Sequence, residues 1–532
     1  MDFRARFAPS PTGQVHIGNI RTAIFNWLAT RHNKGTFLLR IEDTDLERST
    51  QDAIDKLLEC MKWLGLDYDE EIMYQTKQSE LHKQAAAKLM ETGYAYKLNP
   101  AEEHSPVLFK LPYDCDGMKF VRPVGTVRIE LAPGSAVQIN QAGVAYNTVS
   151  PKGKTVENAA SLAGFKDLEV LGADGTVLFR LDEETRKALP ANPQEKKTIE
   201  NASALVFLRR EVFYHDLVKG ELAKPLDSMK DFIIVRSDGS PVFHLANVYD
   251  DMQQRVTHIV RGDDHVENTY RHLFLFEALG FTPPQYAHLP MIVNKAGKPY
   301  SKRDGDAFVG DFREKGFMAQ ALFNYLSLLG WSPGDDREKM SKEELVEAFT
   351  IERALRSPAQ FDIVKLTNMN ALYIAELSRE EFMERIAPYL EKFCPEAVGS
   401  PLLDKVAELM HSRTKTFADV AHWNYFFRTP ENVEYDAKAL KKFLSDDMIR
   451  RSVADFASVL ETLPESCTAA EIETKIRALE EQYGIQQGKL NQPLRIAVTG
   501  STIGAGIYET IELIGAAGSA ARIRRALSLN EQ

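Results

Sequence analysis

Cysteine is scarce in this chain of 532 residues: Cys60, Cys115, Cys394 and Cys467 stand far apart, in no CxxC or His/Cys cluster. Such spacing supports neither a disulfide framework nor a structural zinc. A basic excess is lacking too. The formal net charge is -11, which argues against a protein that coats nucleic acid by bulk electrostatics. An RNA ligand needs only a basic track, so RNA binding stays open. No apolar run reaches the length of a membrane span, and the opening MDFRARF lacks a signal-peptide core. No membrane partner and a cytoplasmic location are therefore expected. Repeats and low-complexity tracts are also missing. What is present is an ordinary globular composition, 44% hydrophobic and 27% charged, over a length that implies roughly three to five domains.

The most informative stretch runs from Arg4 to Ser49. RARFAPSPTG predicts a short strand ending near Ala8, then a turn punctuated by Pro9, Pro11 and Gly13. His16-Ile17-Gly18 opens a helix with Ile17, Ile20, Ile24 and Leu28 on one face of 3.6-residue period. Gly35 stands where a helix C-terminus favours glycine. Phe37-Leu38-Leu39 predicts a buried strand that delivers Arg40, Glu42 and Asp43 to its carboxyl end. Strand, glycine turn, helix and strand make a nucleotide-binding half-unit, in which phosphates settle at the helix N-terminus. His16 offers a side-chain donor there, and Gly18 leaves room for a flat base. Neither GxGxxG nor the lysine P-loop occurs, so a generic dinucleotide or P-loop reading has no support. Taken alone, His16-Ile17-Gly18 reads equally well as a helix start with a capping histidine.

A second motif is GKPYSKRDG, after the strand expected at 288–294. A Gly-flanked loop carrying Ser301, Lys302 and Arg303 can close over a nucleotide and place cations where pyrophosphate charge develops. The text KMSK at 339–342 competes with it. However, Ser341 and Glu344 form a capping box that opens the helix SKEELVEAF, so Lys342 reads as a helix-start residue.

RFAPSPTG, HIG, RTAIFNW and RIEDTD, in this order and spacing, resemble the catalytic start of the class I glutamyl-tRNA synthetases. The resemblance covers about the first hundred residues and resumes near Val212. It implies a Rossmann-type α/β catalytic domain, ATP with its Mg²⁺, and a monomer whose partners are L-glutamate and tRNA-Glu. By resemblance, His16, Ser301, Lys302 and Arg303 are catalytic. Pro9, Ser10, Thr12, Gly13, His16, Gly18, Asn19, Asp264, Leu289 and Lys302 would bind ATP. Arg6 would grip the side-chain carboxylate of glutamate, Glu42 and Ser10 its amino group, with Ala8, Phe243, Asn247 and Arg261 completing that site. Glutamate carries two carboxylates and one ammonium, and a selective pocket wants two cations and one anion. Three positions depart from the family pattern. Phe243 stands where a tyrosine is usual, Asn19 replaces the second histidine of the first motif, and Pro299 occupies the first-lysine position. Some members carry a zinc site after the segment matching Gly93-Tyr94-Ala95-Tyr96. KLNPAEEHSP lacks those ligands, so no zinc is expected.

The same resemblance divides the chain. Residues 1–92 and 244–305 would form the catalytic domain, and 93–243 an acceptor-binding insertion. Within the latter, 113–210 reads as an extra β-rich module, with runs TVRIEL, SAVQINQAG and DLEVLGADGTVLFRL, then a polar segment helical in part. A stem-contact helical domain is expected at 306–372 and an all-α anticodon-binding region at 373–532. Ser49 is expected to cap the helix that follows it, and Ser378 with Glu381 to cap another. A glutaminyl enzyme would have a β-barrel anticodon region, and the short tRNA-modifying paralogue lacks the C-terminal half. An inactive tRNA-binding paralogue should have lost His16, Lys302 or Arg6, all of which are present. An enzyme that also glutamylates tRNA-Gln remains an alternative.

Overall fold

A computed structural model describes residues 2–11, 13–45 and 49–530. Its first strand, Arg4–Phe7, sits inside a parallel sheet ordered Met73–Tyr74, Thr36–Ile41, Arg4–Phe7, His258–Gly262, Gln285–Leu289. Ala5 lies opposite Phe37 on one side and His258 on the other. The TFLLRI strand is buried almost throughout, as a parallel sheet covered on both faces requires. Strand order reverses at Arg4–Phe7, and in such sheets a ligand crevice opens at the carboxyl ends beside the reversal.

Helix Ile17–His32 connects the first two strands. It is buried on more than the expected face, since Ala23, Phe25, Trp27 and Ala29 are covered as well. Phe25, for instance, meets Phe349 edge-on at 5.4 Å. Gly35 has a different reason from the expected one. Lys34 takes the left-handed conformation (φ 53°), while a Cβ on Gly35 would lie 2.0 Å from the Phe3 carbonyl oxygen. The next helix, Gln51–Leu64, is capped by Thr50 rather than Ser49, its side chain accepting from Ala53 N at 3.2 Å. The strand expected at 288–294 begins earlier, at Gln285, and breaks at Pro290 before the short Ile292–Val293.

The inserted region contains a three-stranded antiparallel sheet, Phe232–Val235, Val107–Phe109 and Ala95–Lys97. Beyond it, two long strands, Val121–Ile139 and Lys197–Asp216, pair antiparallel from Val212 opposite Val121 to Lys197 opposite Ile139. The polar segment expected to be partly helical forms the helix Glu183–Lys187, but its KKTIE end opens the long strand. The module has its own core, built on Val137, Phe165, Leu168, Val170, Leu205 and Phe207. Its return strand does not stop at 210. It continues to Asp216, which pairs in parallel with Tyr286 of the catalytic sheet.

Two compact units are present: the residues up to Val309 with Leu326–Phe361, and Gly310–Tyr325 with the residues from Asp362 onward. The second unit is helical, with apolar cores around Trp423 and around Phe456. Its helix starts carry strong local signals. Ser378–Glu381 and Thr468–Glu471 both form capping boxes. The architecture is therefore α/β Rossmann-type with an inserted α+β region, a β-rich extension and an all-α C-terminal region. Among the described residues no helix is long and apolar enough to cross a membrane.

Candidate active site

A cavity of about 600 Å³ opens at the carboxyl ends of Arg4–Phe7 and His258–Gly262. Its wall on the first strand and following turn is Arg6, Ala8, Pro9 and Ser10. Helix Ile17–His32 adds Gly18 and Asn19, with His16 at its N-cap. Glu42 comes from just beyond the second strand, Phe243 and Asn247 from helix Phe243–Gln253. Arg261, Asp264 and Leu289 close the far side, with Pro299 at the edge. Gly13 lies in the turn (φ 126°) and does not line the cavity. Thr12 falls outside the described residues.

His16 stands at one end of the cavity. Its Nδ1 accepts from Gly18 N at 3.0 Å, so the neutral ring carries its proton on Nε2. Burial lowers its pKa, opposed by a hydrogen bond with the Tyr300 backbone. A neutral donor at a helix N-terminus suits a phosphate. Gly18 is needed partly for this cap, because a Cβ there would approach His16 Nδ1 to 3.3 Å. The SKR loop lies beside the cavity and not in it. Lys302 and Arg303 are exposed, and Lys302 Nζ sits 5.7 Å from the Phe308 ring centre. Asp304 holds Ser301 through its N and Oγ, each at 3.0 Å, and accepts from Asn294 Nδ2 at 2.7 Å. The structure thus gathers the expected strand-end residues around the cavity and leaves Ser301, Lys302 and Arg303 outside it. The competing Lys342 has a structural task. Its Nζ donates to the Leu64 carbonyl at 3.0 Å and to that of Gly65, closing the C-terminus of helix Gln51–Leu64 above the Trp27 ring.

At the other end, charged groups are interlocked. Asn247 Nδ2 donates to Glu42 Oε1 at 2.7 Å, and Arg40 Nη2 to the same oxygen at 3.2 Å. Arg40 Nη1 and Arg6 Nε both donate to Asp251 Oδ1, at 2.6 and 2.8 Å. Asp250 accepts from Gln75 at 2.8 Å and meets His82 Nε2 at 2.6 Å. Burial pulls the Glu42 carboxyl up against the attraction of Arg40 and Arg6. Burial acts on Asp251 as well, yet Arg40 and Arg6 hold it below the ordinary carboxylate range. Arg261 is lowered by burial, and its Nη1 has no hydrogen-bond partner. Phe243 stacks on His265 at 5.5 Å, so no hydroxyl is offered where a tyrosine would offer one.

Sequence reasoning did not assign Asp250, Asp251, Gln75, His82, Asp216 or His288 to this site. One signal was available: Asn247, Asp250 and Asp251 are spaced i, i+3, i+4, which puts three polar groups on one helix face.

Two family profiles match the chain: "tRNA synthetases class I (E and Q), catalytic domain" over 2–105 and 172–368, and "Anticodon binding domain" over 381–527. The glutamate–tRNA ligase of Trichlorobacter lovleyi is 36% identical, with 99% of this chain and 98% of that protein aligned. Glutamate–tRNA ligase 1 of Caldanaerobacter subterraneus subsp. tengcongensis is 32% identical over 100% of this chain and 98% of its own length. Among solved structures, a glutamate tRNA ligase from Elizabethkingia meningosepticum in complex with its amino acid superposes with a TM-score of 0.66 at 25% identity, covering 99% of both chains. The profiles and the strand-end charge pattern agree: the chain belongs to the class I tRNA synthetases of the E and Q type, among the glutamate–tRNA ligases.

Proposed function

We propose that this chain uses ATP to activate L-glutamate as glutamyl-adenylate and passes the glutamyl group to the 2′-hydroxyl of the terminal adenosine of tRNA-Glu. The observation that carries this reading is the placement of one anionic corner, Glu42 with Asn247, in the same cavity as two guanidiniums, Arg6 and Arg261. An ammonium suits the corner, and two carboxylates suit the guanidiniums. Glutamine would set a neutral amide against Arg6 where glutamate sets a carboxylate, and such mismatches are strongly discriminated against.

In this reading Arg6 meets the side-chain carboxylate, Glu42 and Ser10 the amino group, and Asn247 and Arg261 complete the site with Ala8 and Phe243. Pro9, Gly18, Asn19, Asp264 and Leu289 form the nucleotide wall, with Thr12 and Gly13 in the turn. The α-carboxylate attacks the α-phosphorus, and pyrophosphate leaves. His16 Nε2–H, with Ser301, Lys302 and Arg303 on a loop that closes over the nucleotide, stabilises the phosphoryl charge. Mg²⁺ enters with ATP as part of the substrate. No side chain acts as nucleophile, so the protein works by positioning and charge stabilisation. Residues 93–243 would face the acceptor end, 306–372 the inside of the tRNA, and 373–532 the anticodon, in a cytoplasmic monomer.

Charging assays with purified tRNA-Glu and tRNA-Gln test the reading. Labelled glutamate should be attached to tRNA-Glu, and glutamine to neither. Charging with glutamine, or none with glutamate, would overturn it. Glutamylation of tRNA-Gln would widen the tRNA range and keep the chemistry.

A further inference from the structure

Arg261 is held on several sides. Its Nε donates to His288 Nε2 at 3.2 Å, and its Nη2 donates to Thr269 Oγ1 at 2.7 Å and to the His265 carbonyl at 3.2 Å. Nη1 is buried without a partner, on a residue that lines the cavity. His288 Nδ1 lies 2.6 Å from Asp216 Oδ2. Asp216 also accepts from the backbone N of Val218 at 3.0 Å, of Lys219 at 2.8 Å and of His288 at 3.1 Å. Asp216, His288 and Thr269 are each 0% exposed.

The contact with Arg261 fixes the tautomer of His288. A guanidinium only donates, so His288 Nε2 must accept. The ring proton then sits on Nδ1 and requires an acceptor, which Asp216 supplies. The Thr269 hydroxyl, which accepts from Arg261, has acceptors for its own proton in the His265 carbonyl at 3.4 Å and His288 Nε2 at 3.2 Å. Asp216 is the last residue of the strand Lys197–Asp216, which carries the inserted module.

We propose that Asp216 and His288 are positioning residues for the amino-acid substrate: they fix the imidazole tautomer that holds Arg261, and thereby present its unpartnered Nη1 to a carboxylate of glutamate. This rests on the glutamate reading of the cavity. It also makes the end of the module's own strand part of the support for the amino-acid subsite.

Asp216→Asn tests it with little change of shape. If the asparagine oxygen keeps the Val218 and Lys219 amides, its N–H₂ faces His288 Nδ1, and the imidazole is driven to the wrong tautomer. His288 Nε2–H then opposes Arg261 Nε–H. The expected result is a KM for L-glutamate raised about tenfold to a hundredfold, the size of effect that loss of an outer hydrogen-bond partner has at histidine-held metal sites. KM for ATP should stay near the wild-type value. His288→Gln can still accept from Arg261 and donate to Asp216, so it should retain most of the glutamate affinity; His288→Leu should behave like Asp216→Asn. In a double-mutant cycle, Asp216→Asn should add little to Arg261→Lys.

An unmoved KM for glutamate, equal rises for both substrates, or full additivity would overturn the proposal. Should Asp216→Asn fail to fold, the contrast between His288→Gln and His288→Leu decides. A wild type that charges no tRNA with glutamate would remove the underlying reading and this role with it. Wild-type charging with unaltered variants would overturn the positioning role alone.

Discussion

Arg6 Nε donates to Asp251 Oδ1 over 2.8 Å, between side chains that are 4% and 0% exposed. Arg40 Nη1 reaches the same oxygen at 2.6 Å, so one carboxylate from helix Phe243–Gln253 balances guanidiniums from two neighbouring strands. Arg6 is thereby oriented from behind before any substrate arrives.

Removing that support and removing Arg6 should give different phenotypes. Asp251→Ala leaves the buried Arg6 guanidinium without its carboxylate and removes one of Arg40's partners, and should cost about 3–5 kcal/mol of stability, read as a lower urea midpoint. Arg6→Ala should abolish use of glutamate, because a desolvated substrate carboxylate loses its partner. Phe243→Tyr should change glutamate kinetics far less. Equal, mild kinetic effects for the last two would place the carboxylate elsewhere.

Two lysines in similar text should separate cleanly. Lys302→Ala should lower glutamyl-tRNA formation by several orders of magnitude, since a lost transition-state cation costs about 3–4 kcal/mol, while Tm stays put because the side chain is exposed. Lys342→Ala should do the reverse. It removes the group that holds the Leu64 and Gly65 carbonyls, so about 1 kcal/mol of stability should go with charging nearly intact. Reversed rankings would exchange the two roles.

Acid should destabilise the catalytic unit through its histidines. Burial, then Arg271 and Arg261, lower His244 to about 4, and burial with Arg261 does the same to His265. An unfolded histidine titrates near 6.5. Above that pH neither state is protonated and the contribution is constant. Between pH 6.5 and about 4 the unfolded chain binds protons that the folded chain refuses, so stability falls as pH falls. Allowing for partial exposure, His244 should account for about 1–2 kcal/mol between pH 7 and 5. Thermal melts at both pH values should show His244→Gln with a smaller acid loss than the wild type.

Gly35→Ala should be costly although the residue is not in the left-handed region. The added methyl would meet the Phe3 carbonyl oxygen at 2.0 Å, forcing the start of the central strand to move. A loss of about 1–3 kcal/mol is expected from such overpacking, visible as a lower Tm. A neutral result would mean that the chain around Phe3 yields freely.

The catalytic start was legible because its information is local. A strand, a turn, a capping histidine and a second strand follow within forty residues or so, each with its own short-range signal. The Lys342 capping box was legible for the same reason. The supports of the site were not, because nothing near Arg6 in sequence announces Asp251, and nothing near Arg261 announces Asp216. The long module strands read in the sequence as several short runs for a different reason. Pro123, Gly125 and Gly134 look like turn residues, but they fall where the ladder with Lys197–Asp216 shifts register. Breakers there mark bulges and bends, not chain reversals.

The central strand has a further consequence, for synthesis on the ribosome. Arg6 and Asp251 are 245 residues apart. At roughly 5–20 residues per second, the nascent chain presents Arg6 for about 12–50 s before its counter-ion has been translated. Throughout that interval the edge of Arg4–Phe7 that will pair with His258–Gly262 is unoccupied, and exposed strand edges invite association with other chains. Completion of the cavity that Arg6 lines thus waits on residues translated long after the motif that borders it has left the exit tunnel.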